Sequence, residues 1–326
     1  MLFSQIVRRS PQWKRAVAEA EKLVSYSGSY LSLQSSLSDE EANLALSVRK
    51  LLGTKHPLLQ TAKDLFYNGN NSIQTRGLVV LLVSQAANDL KRSLSGSQPS
   101  TSAGTDCSEK ILTKQRHLAE IVEIVYTANL LHRGVLDVAQ MTSGNVEKLK
   151  LGNKLAVLGG DFLLANASVA LANLCAPQVT SSVAQGIADM SEAEFLSLKH
   201  PDRALPQDLW DRTIYLQSGS LLAHSCKSAI LLADLDDQSL LDNSFTIGRR
   251  VALIYALSEI LTTNGSVNNK RETPEIDMSR QETFDWLENQ GKLAIESINS
   301  SFPSSSGAVR SLKQIIRALS DRKCLV

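Results

Sequence analysis

The chain has 326 residues, of which 43% are hydrophobic and 21% are charged, a composition typical of a globular protein with a hydrophobic core. The formal net charge is +1 and basic residues form no concentrated run, which argues against a nucleic-acid-binding protein. The four cysteines, Cys107, Cys175, Cys226 and Cys324, lie far apart, so the sequence lacks the paired spacing of a zinc site or a thioredoxin-type redox site.

The N-terminal segment is basic. Residues 1–18 contain four lysines or arginines, and the first acidic residue of the chain is Glu19. A basic, acid-free and partly amphipathic start is typical of a mitochondrial presequence, and an ordinary basic helix has the same character. Both interpretations stay open from the sequence, and the main domain is predicted to cover residues 19–326.

Helix signals recur along the rest of the chain. Ser38 and Glu41 form a capping box, Gly53 follows the helix that it begins, and Pro57 suits the first turn of the next helix. Apolar periodicity predicts further helices at about 73–92, 109–131, 151–174, 178–198, 207–234, 238–262, 280–299 and 307–322. The longest apolar run, Gly77–Val83, is far shorter than the roughly 20 residues of a membrane span, so we predict a buried helix there and no transmembrane segment.

Two polar segments separate these helices. Residues 93–108 and 263–279 are rich in Ser, Gly, Asn and Thr, which favours solvated loops. No alternating strand pattern and no repeat of 20–50 residues is found. The sequence therefore predicts a single all-α domain with a buried central set of helices.

Three segments, in order, resemble the all-trans polyprenyl diphosphate synthases. The segment TRGLVVLL at 75–82 resembles the family's R-P-x-L-V-L-L, and EIVYTANLLHRGVLD at 123–137 resembles E-x-x-H-x-A-S-L-L-H-D-D-V-x-D. LAVLGGDFLLANA at 155–167 resembles A-V-L-x-G-D-x-L-L-x-x-A. The resemblance runs from about Ser38 to Leu257 and implies an isoprenoid-synthase-type helical bundle with an abbreviated C-terminal part.

The resemblance also implies where the family's chemistry would be located. In these enzymes two D-D-x-x-D motifs hold Mg²⁺ ions, which neutralise the diphosphate leaving an allylic substrate. The leading aspartate positions of the first motif are Arg133 and Gly134 here, and only Asp137 remains. A like-charge contact at about 4 Å costs on the order of 4 kcal/mol at an effective dielectric near 20, so Arg133 is expected to repel a metal ion.

The other diphosphate-handling motifs are altered as well. The second motif aligns with a segment in which only Glu259 is acidic. The family's Lys-Thr pair aligns with Ser218 and Gly219, and its Gly-Gly-Lys aligns with residues 71–73, whereas Arg76 is kept. The resemblance therefore implies no catalytic residue and no bound cofactor or metal in this chain, with Mg²⁺ in a catalytic partner.

Several charged or small residues near these motifs have simpler structural interpretations. An ion pair at i,i+4 between Arg133 and Asp137 is expected rather than a metal site. His132 is predicted to be a hydrogen-bonded helix residue, and Asp161 a partnered structural carboxylate. Gly160 is expected to permit a close approach between helices.

Family members are dimers that pair largely through the helix carrying GDFLLA. Phe162, Ala165, Asn166 and Val169 recur at i, i+3, i+4 and i+7, so they share one helix face and form the predicted subunit interface. The sequence looks closest to the non-catalytic second subunits of decaprenyl-type members, which help to make the ubiquinone side chain. The resemblance thus implies a hetero-oligomer with a catalytic homologue in the mitochondrion, with transferase activity only in the complex. The basic N-terminal segment indicates the mitochondrial matrix as the location of the protein.

Three other classes of protein share parts of this pattern. An active prenyltransferase requires intact carboxylate clusters, and a regulatory small subunit of the plant geranyl-diphosphate type resembles members with C-x-x-x-C pairs, which are missing here. A non-enzymatic polyprenyl-lipid-binding or scaffold protein requires an open apolar tunnel. Ala128 and Asn129, before the first motif, are small enough to allow one, so this alternative stays open, with polyprenyl diphosphate as a candidate ligand.

Overall fold

The computed structural model describes residues 11–24, 75–95, 111–137, 146–199, 204–262 and 274–321. Its helices are α1 Pro11–Val24, α2 Thr75–Leu94, α3 Thr113–Arg133, α4 Val146–Asn173, α5 Pro177–Lys199, α6 Gln207–Ile214, α7 Ser220–Leu231, α8 Gln238–Thr262, α9 Arg280–Ser301 and α10 Gly307–Ser320. A π-helical turn, Tyr215–Gly219, joins α6 to α7. Among the described residues the only β-type pairing is an isolated bridge between Leu205 and Ile276, so the all-α prediction is confirmed.

Helix α2 forms the centre of the fold. Every residue of its apolar run, Gly77–Val83, is buried, because α3, α7, α10 and α1 pack around it. A helix that is apolar on all sides needs such an environment. The buried helix predicted from this run is confirmed.

A polar network ties α2, α3 and α7 together inside the core. The side chain of Asn88 donates to Gln115 Oε1 at 2.8 Å, and Gln115 Nε2 donates to the carbonyl of Ala229 at 2.9 Å. Gln115 Oε1 also accepts from the backbone N–H of Leu112 at 3.0 Å. These buried polar groups are satisfied, so the network fixes the relative positions of the three helices.

Helices α7 and α8 pack closely because Gly248 has no side chain. A Cβ at Gly248 would lie 2.6 Å from the carbonyl oxygen of Leu222 and 2.7 Å from the Cα of Ala223. Helix backbones reach this separation only where a small residue leaves room. The contact fixes α8, which ends close to Glu259.

Helix α1 packs against α10 and contributes to the core. Trp13 and Ala16 are buried, and the indole ring of Trp13 meets the ring of Tyr255 edge-on with a centroid distance of 6.2 Å. Residues 11–18 of the predicted N-terminal segment are thus part of the packed structure. The presequence interpretation stays a prediction.

The observed helix boundaries differ from the predicted ones in several places, and α3, for example, begins at Thr113 instead of about 109. Helix α4 begins at Val146 instead of about 151, and its first turn contains an ion pair between Glu147 and Lys150 at 2.9 Å. The helix predicted to reach 234 is interrupted by the π turn and ends at Leu231, followed by Asp234 with a φ of 54°. Aspartate tolerates this left-handed conformation better than most residues, so the chain turns there.

Some predictions fall outside the described residues. These are the capping signals between Ser38 and Pro57 and most of the two predicted loops. Of the second loop, residues 274–279 are described, and they are irregular apart from the bridge at Ile276. The abbreviated C-terminal part stays a prediction.

Candidate functional site

The first-motif residues lie at the C-terminal end of α3. The helix ends at Arg133, and the N–H of Gly134 closes its last turn by donating to the carbonyls of Leu130 and Leu131 at 3.1 and 3.0 Å. Asp137 lies beyond the helix. The helical i,i+4 geometry expected for Arg133 and Asp137 therefore does not apply.

The guanidinium of Arg133 forms an ion pair with α5. Its Nε lies 2.9 Å from Oε1 of Glu194, and both side chains are partly exposed. Exposed pairs of this kind contribute about 0–1 kcal/mol to stability, so the pair matters here for the charge at the end of α3 and not for its energy. A cation therefore occupies the position that corresponds to the family's leading metal-binding aspartate.

His132 connects α3 to α4. Its Nε2 lies 3.2 Å from Oδ1 of Asp161 and 3.3 Å from the carbonyl oxygen of Val157. Because both partners are acceptors, Nε2 carries the proton. A Cβ on Gly160 would overlap the His132 ring, so the glycine provides the space in which the ring lies.

The segment after α3 is held against α4 by Asn153. The backbone N–H of Leu136 donates to Asn153 Oδ1 at 2.8 Å, and Asn153 Nδ2 donates to the carbonyl of Leu136 at 2.7 Å. Sequence reasoning missed Asn153. No pattern in the sequence distinguishes Asn153 from the other polar residues of α4.

The retained Arg76 lies where α2 begins against α3. Its guanidinium carbon is 3.3 Å from the centre of the Tyr126 ring. Next to it, Glu123 accepts from the backbone N–H of Gly77 at 2.6 Å. Burial raises the pKa of Glu123 to about 7, against the opposing effect of Arg76. Sequence reasoning missed Glu123, although it begins the E-x-x-H segment.

The remaining motif positions are distributed over the π turn and α8. Ser218 and Gly219 lie in the π turn, and Glu259 lies near the end of α8, half-buried. Residues 71–73 lie outside the described part of the chain. Within the described ranges, no group of three or more His, Cys, Asp or Glu side chains could hold a metal ion.

A buried carboxylate supports the start of α7. Asp189 on α5 accepts a hydrogen bond from the Ser220 hydroxyl and another from Gln185 Nε2, the latter at 2.7 Å. One turn further along α7, burial lowers the pKa of His224. These contacts fix α7 against α5, next to the π turn.

The predicted interface residues lie on the outside of α4. Phe162 is 38% exposed and Val169 is 61% exposed, Ala165 is exposed, and the partly exposed Asn166 donates to the carbonyl of Phe162 at 2.8 Å. Leu158, one turn earlier, is 54% exposed. An uncovered apolar surface of this kind is typical of an interaction site.

Helix α4 is also long and apolar enough, by length and composition alone, to cross a membrane. Its most apolar window has a mean hydropathy of 1.7 and is 22% buried. Because glycine, asparagine and lysine interrupt the apolar residues of α4, a search for long continuous apolar runs in the sequence does not find this helix. A single such helix is weak evidence for a span. Asp161 in its middle and the Asn153 contact favour a helix packed against protein.

A surface groove of 610 Å³ lies at the turn between α4 and α5, lined by Ala172, Cys175, Ala176, Pro177, Thr180 and Ser181. It is separated from the His132 contact by more than ten residues of α4, roughly 20 Å at 1.5 Å per residue. The groove is therefore distinct from the first-motif region.

Comparison with known proteins places these features in context. The family model for Polyprenyl synthetase matches residues 58–259. The chain is 40% identical over 262 residues to the All trans-polyprenyl-diphosphate synthase PDSS2 of Rattus norvegicus, covering 78% of this chain and 64% of that protein. It is 34% identical over 245 residues to the Probable hexaprenyl pyrophosphate synthase, mitochondrial, of Neurospora crassa, covering 65% and 54%. The chain thus spans less than two thirds of the length of these relatives.

Solved structures share the fold. A decaprenyl diphosphate synthase from Rhodobacter capsulatus superimposes with a TM-score of 0.59 at 16% identity, covering 90% of this chain and 99% of that one. A polyprenyl synthase from Caulobacter crescentus gives a TM-score of 0.58 at 19% identity, covering 91% and 100%. The predicted isoprenoid-synthase-type bundle is confirmed by these similarities.

Proposed function

The chain belongs to the polyprenyl synthetase family, and we propose that it is a non-catalytic subunit of a hetero-oligomeric long-chain trans-polyprenyl diphosphate synthase. The complex is of the decaprenyl type and supplies the ubiquinone side chain. This assignment of product rests on the likeness to the mammalian PDSS2 proteins. Catalysis takes place in the homologous partner, and this chain acts as part of a transferase only within the complex.

One observation supports the proposal: Arg133, which pairs with Glu194 at 2.9 Å, is the residue that the sequence resemblance aligns with a metal-binding aspartate of the family. Ionisation of an allylic diphosphate requires divalent cations to neutralise the leaving group. A fixed guanidinium repels them, and Gly134 offers no ligand. At the second motif Glu259 is the one acidic residue in its segment. These residues do not fit an Mg²⁺ cluster, so we assign the metal to the catalytic partner.

The outer face of α4 supports a role in assembly. Phe162, Ala165, Asn166 and Val169 form the contact with the catalytic homologue in this proposal, and their exposure leaves them free to do so. Relatives from Neurospora crassa and Oryza sativa are named as mitochondrial proteins, and we propose the mitochondrial matrix as the location of this chain.

An activity assay tests the proposal. The purified chain is incubated with farnesyl diphosphate, radiolabelled isopentenyl diphosphate and Mg²⁺, alone and together with a catalytic homologue. We expect no labelled polyprenyl product above the no-enzyme control from the chain alone, and long-chain product from the mixture. The homologue alone is the matched control. Elongation by this chain in isolation contradicts the proposal.

A further inference from the structure

The outer face of α10 carries only positive charge. The charged residues of this helix are Arg310, Lys313 and Arg317, and none of its residues is acidic. Arg310 and Arg317 are exposed and Lys313 is partly exposed, whereas the apolar side chains of α10 are buried in the core. Residues three and four apart lie on one face of a helix, so the three cations form a single stripe, the basic face.

The three cations of the basic face are unpaired. Within the described ranges, none of their side chains has an ion-pair or hydrogen-bond partner. Arg133 and Arg249, in contrast, pair with Glu194 and Asp211 at 2.9 and 2.8 Å. Like charges three and four residues apart on a helix repel one another and destabilise it. The spacing of these cations therefore does not serve the helix itself.

Arg310 lies at the unfavourable end of α10 for a cation. It is in the first turn, where the partial positive charge of the helix N-terminus repels a guanidinium, whereas Arg317 lies in the favourable last turn. The N-terminus is already capped, because Ser306 Oγ accepts from the N–H of Val309 at 3.5 Å and donates to Asp89 at 2.6 Å. Helix stability thus does not account for Arg310.

Helix α1 adds positive charge beside α10, against which it packs. Lys14, Arg15 and Lys22 are exposed on α1 and have no partner in the described part of the chain, and Glu19 is the one exposed acidic residue of this helix. Helix α9, another neighbour of α10, has mainly acidic side chains at its exposed charged positions. Positive charge is therefore concentrated on the surface that α1 and α10 form.

The chemistry of this surface fits an anionic membrane better than a nucleic acid or a protein. The one aromatic residue of the two helices, Trp13, is buried, whereas single-stranded nucleic acids are typically held by exposed aromatic rings. Stable protein interfaces have an apolar centre, and neither helix exposes a large apolar side chain. Anionic lipid headgroups attract clustered Lys and Arg side chains and require neither feature.

We propose that α1 and α10 hold the protein against an anionic membrane surface, with Arg310, Lys313 and Arg317 facing the lipid headgroups. The contact is peripheral, because the apolar side of α10 is buried in the protein core. Its purpose rests on the proposed function, since the apolar tail of a long polyprenyl diphosphate partitions into a bilayer. A complex held at this surface releases its product next to the bilayer.

Flotation of the full-length chain with lipid vesicles tests this contact. Vesicles of phosphatidylcholine alone are compared with vesicles in which a third of the lipid is phosphatidylglycerol. We expect binding to the anionic vesicles only, and loss of binding in about 500 mM NaCl because salt screens the charges. Arg310→Gln/Lys313→Gln/Arg317→Gln should bind at least tenfold more weakly, since each cation near an anionic surface strengthens binding about fivefold.

The matched control removes the same net charge elsewhere. Lys114→Gln/Lys148→Gln/Lys154→Gln changes three exposed lysines of α3 and α4 and should bind within twofold of wild type. Circular dichroism of both triple variants should match wild type, because all the changed side chains lie at the surface. Equal losses in the two variants mean that net charge and not the basic face drives binding, which overturns the proposal.

The remaining outcomes identify other occupants. Wild type that does not float, or that floats equally with neutral vesicles, overturns the proposal. So does tighter binding to duplex DNA than to anionic vesicles, if the α10 triple variant loses it. The activity assay with the catalytic homologue contains no membrane and is independent of this contact. If product forms in that assay and the chain does not float, only the membrane contact fails. If the chain floats and no product forms, only the proposed function fails.

Discussion

Helix α3 is buried along most of its length, with Leu118, Val122 and Val125 inside, whereas its neighbour α4 leaves Leu158 and Val169 at the surface. The family resemblance extends over both helices. In α3 the resemblance covers the apolar residues but not the aspartates at the C-terminal end of the helix. In α4 it covers the exposed face. Residues for packing, chemistry and assembly can therefore change independently within one fold.

The contact between the two helices links these regions. His132 is next to Arg133 in the altered motif, and it bonds to Asp161 on the edge of the exposed α4 face. His132 is therefore the direct contact between the altered motif and α4. Four perturbations test how separate the two regions are.

The largest effect is expected from Ala165→Arg on the exposed face of α4. A bulky cation in the middle of this face would overpack the contact with the partner and bury an unpaired charge. We expect association with the catalytic homologue to be abolished in a pull-down. When the variant replaces the native subunit in cells, the amount of long-chain polyprenyl product should fall.

The control for this change is Ala18→Arg, at an exposed alanine of α1. Circular dichroism of both variants should match wild type, which excludes unfolding as the cause. If the Ala165→Arg chain is folded, still binds the homologue and still supports ubiquinone synthesis, this face is not part of the interface.

The next effect concerns Glu123 in the buried region. Because burial raises the pKa of Glu123 to about 7, the folded state favours the protonated carboxyl. Below about pH 4.5 the group is protonated in both the folded and the unfolded chain, so its contribution to stability is fully present. As pH rises toward 7 the unfolded chain ionises first and this contribution is lost. The loss is on the order of 3 kcal/mol.

Urea denaturation of wild type and Glu123→Gln between pH 4.5 and 8 measures this contribution. The free-energy difference between the two proteins should shift in favour of the variant as pH rises, and should level off above about pH 7. Burial also raises the pKa of Glu120 to about 7, but that group is present in both proteins and cancels in the difference. A difference that does not change with pH shows that folding does not raise the pKa of Glu123.

The sequence predicted the helices well because their signals are local. The predicted 238–262 agrees with α8, Gln238–Thr262, and both the all-α class and the family are confirmed. The Glu123 contact with Gly77 and the Asn153 contact with Leu136 were not predicted, since each joins residues far apart in the chain. The outer face of α4 was predicted only through the family resemblance, because apolar residues have the same composition whether they are exposed or buried.

A smaller effect is expected at the helix contact itself. Gly160→Ala should displace the His132 ring and break its bonds to Asp161 and Val157, which costs about 1 kcal/mol. In a His132→Ala background no ring has to move. The same change should then stabilise the chain by up to about 1 kcal/mol through the higher helix propensity of alanine. Thermal denaturation of the four proteins gives the double-mutant cycle, and equal costs in both backgrounds contradict the proposed packing.

The smallest effect on activity is expected from Arg133→Asp combined with Gly134→Asp, which restores the leading carboxylates of the first motif. Turnover by the isolated chain should stay at background, because groups that act as a unit are not recovered singly. Ser218 and Gly219 still align with the family's Lys-Thr pair, and Glu259 is still the one acidic residue in the segment that aligns with the second motif. The carboxylate introduced at position 133 would also face Glu194, which has then lost its cation. Radiolabelled product from the double variant, absent from a matched Arg133→Asn/Gly134→Asn control, would mean that the rest of the site is complete. The altered motif would then be the sole reason for the inactivity that we propose.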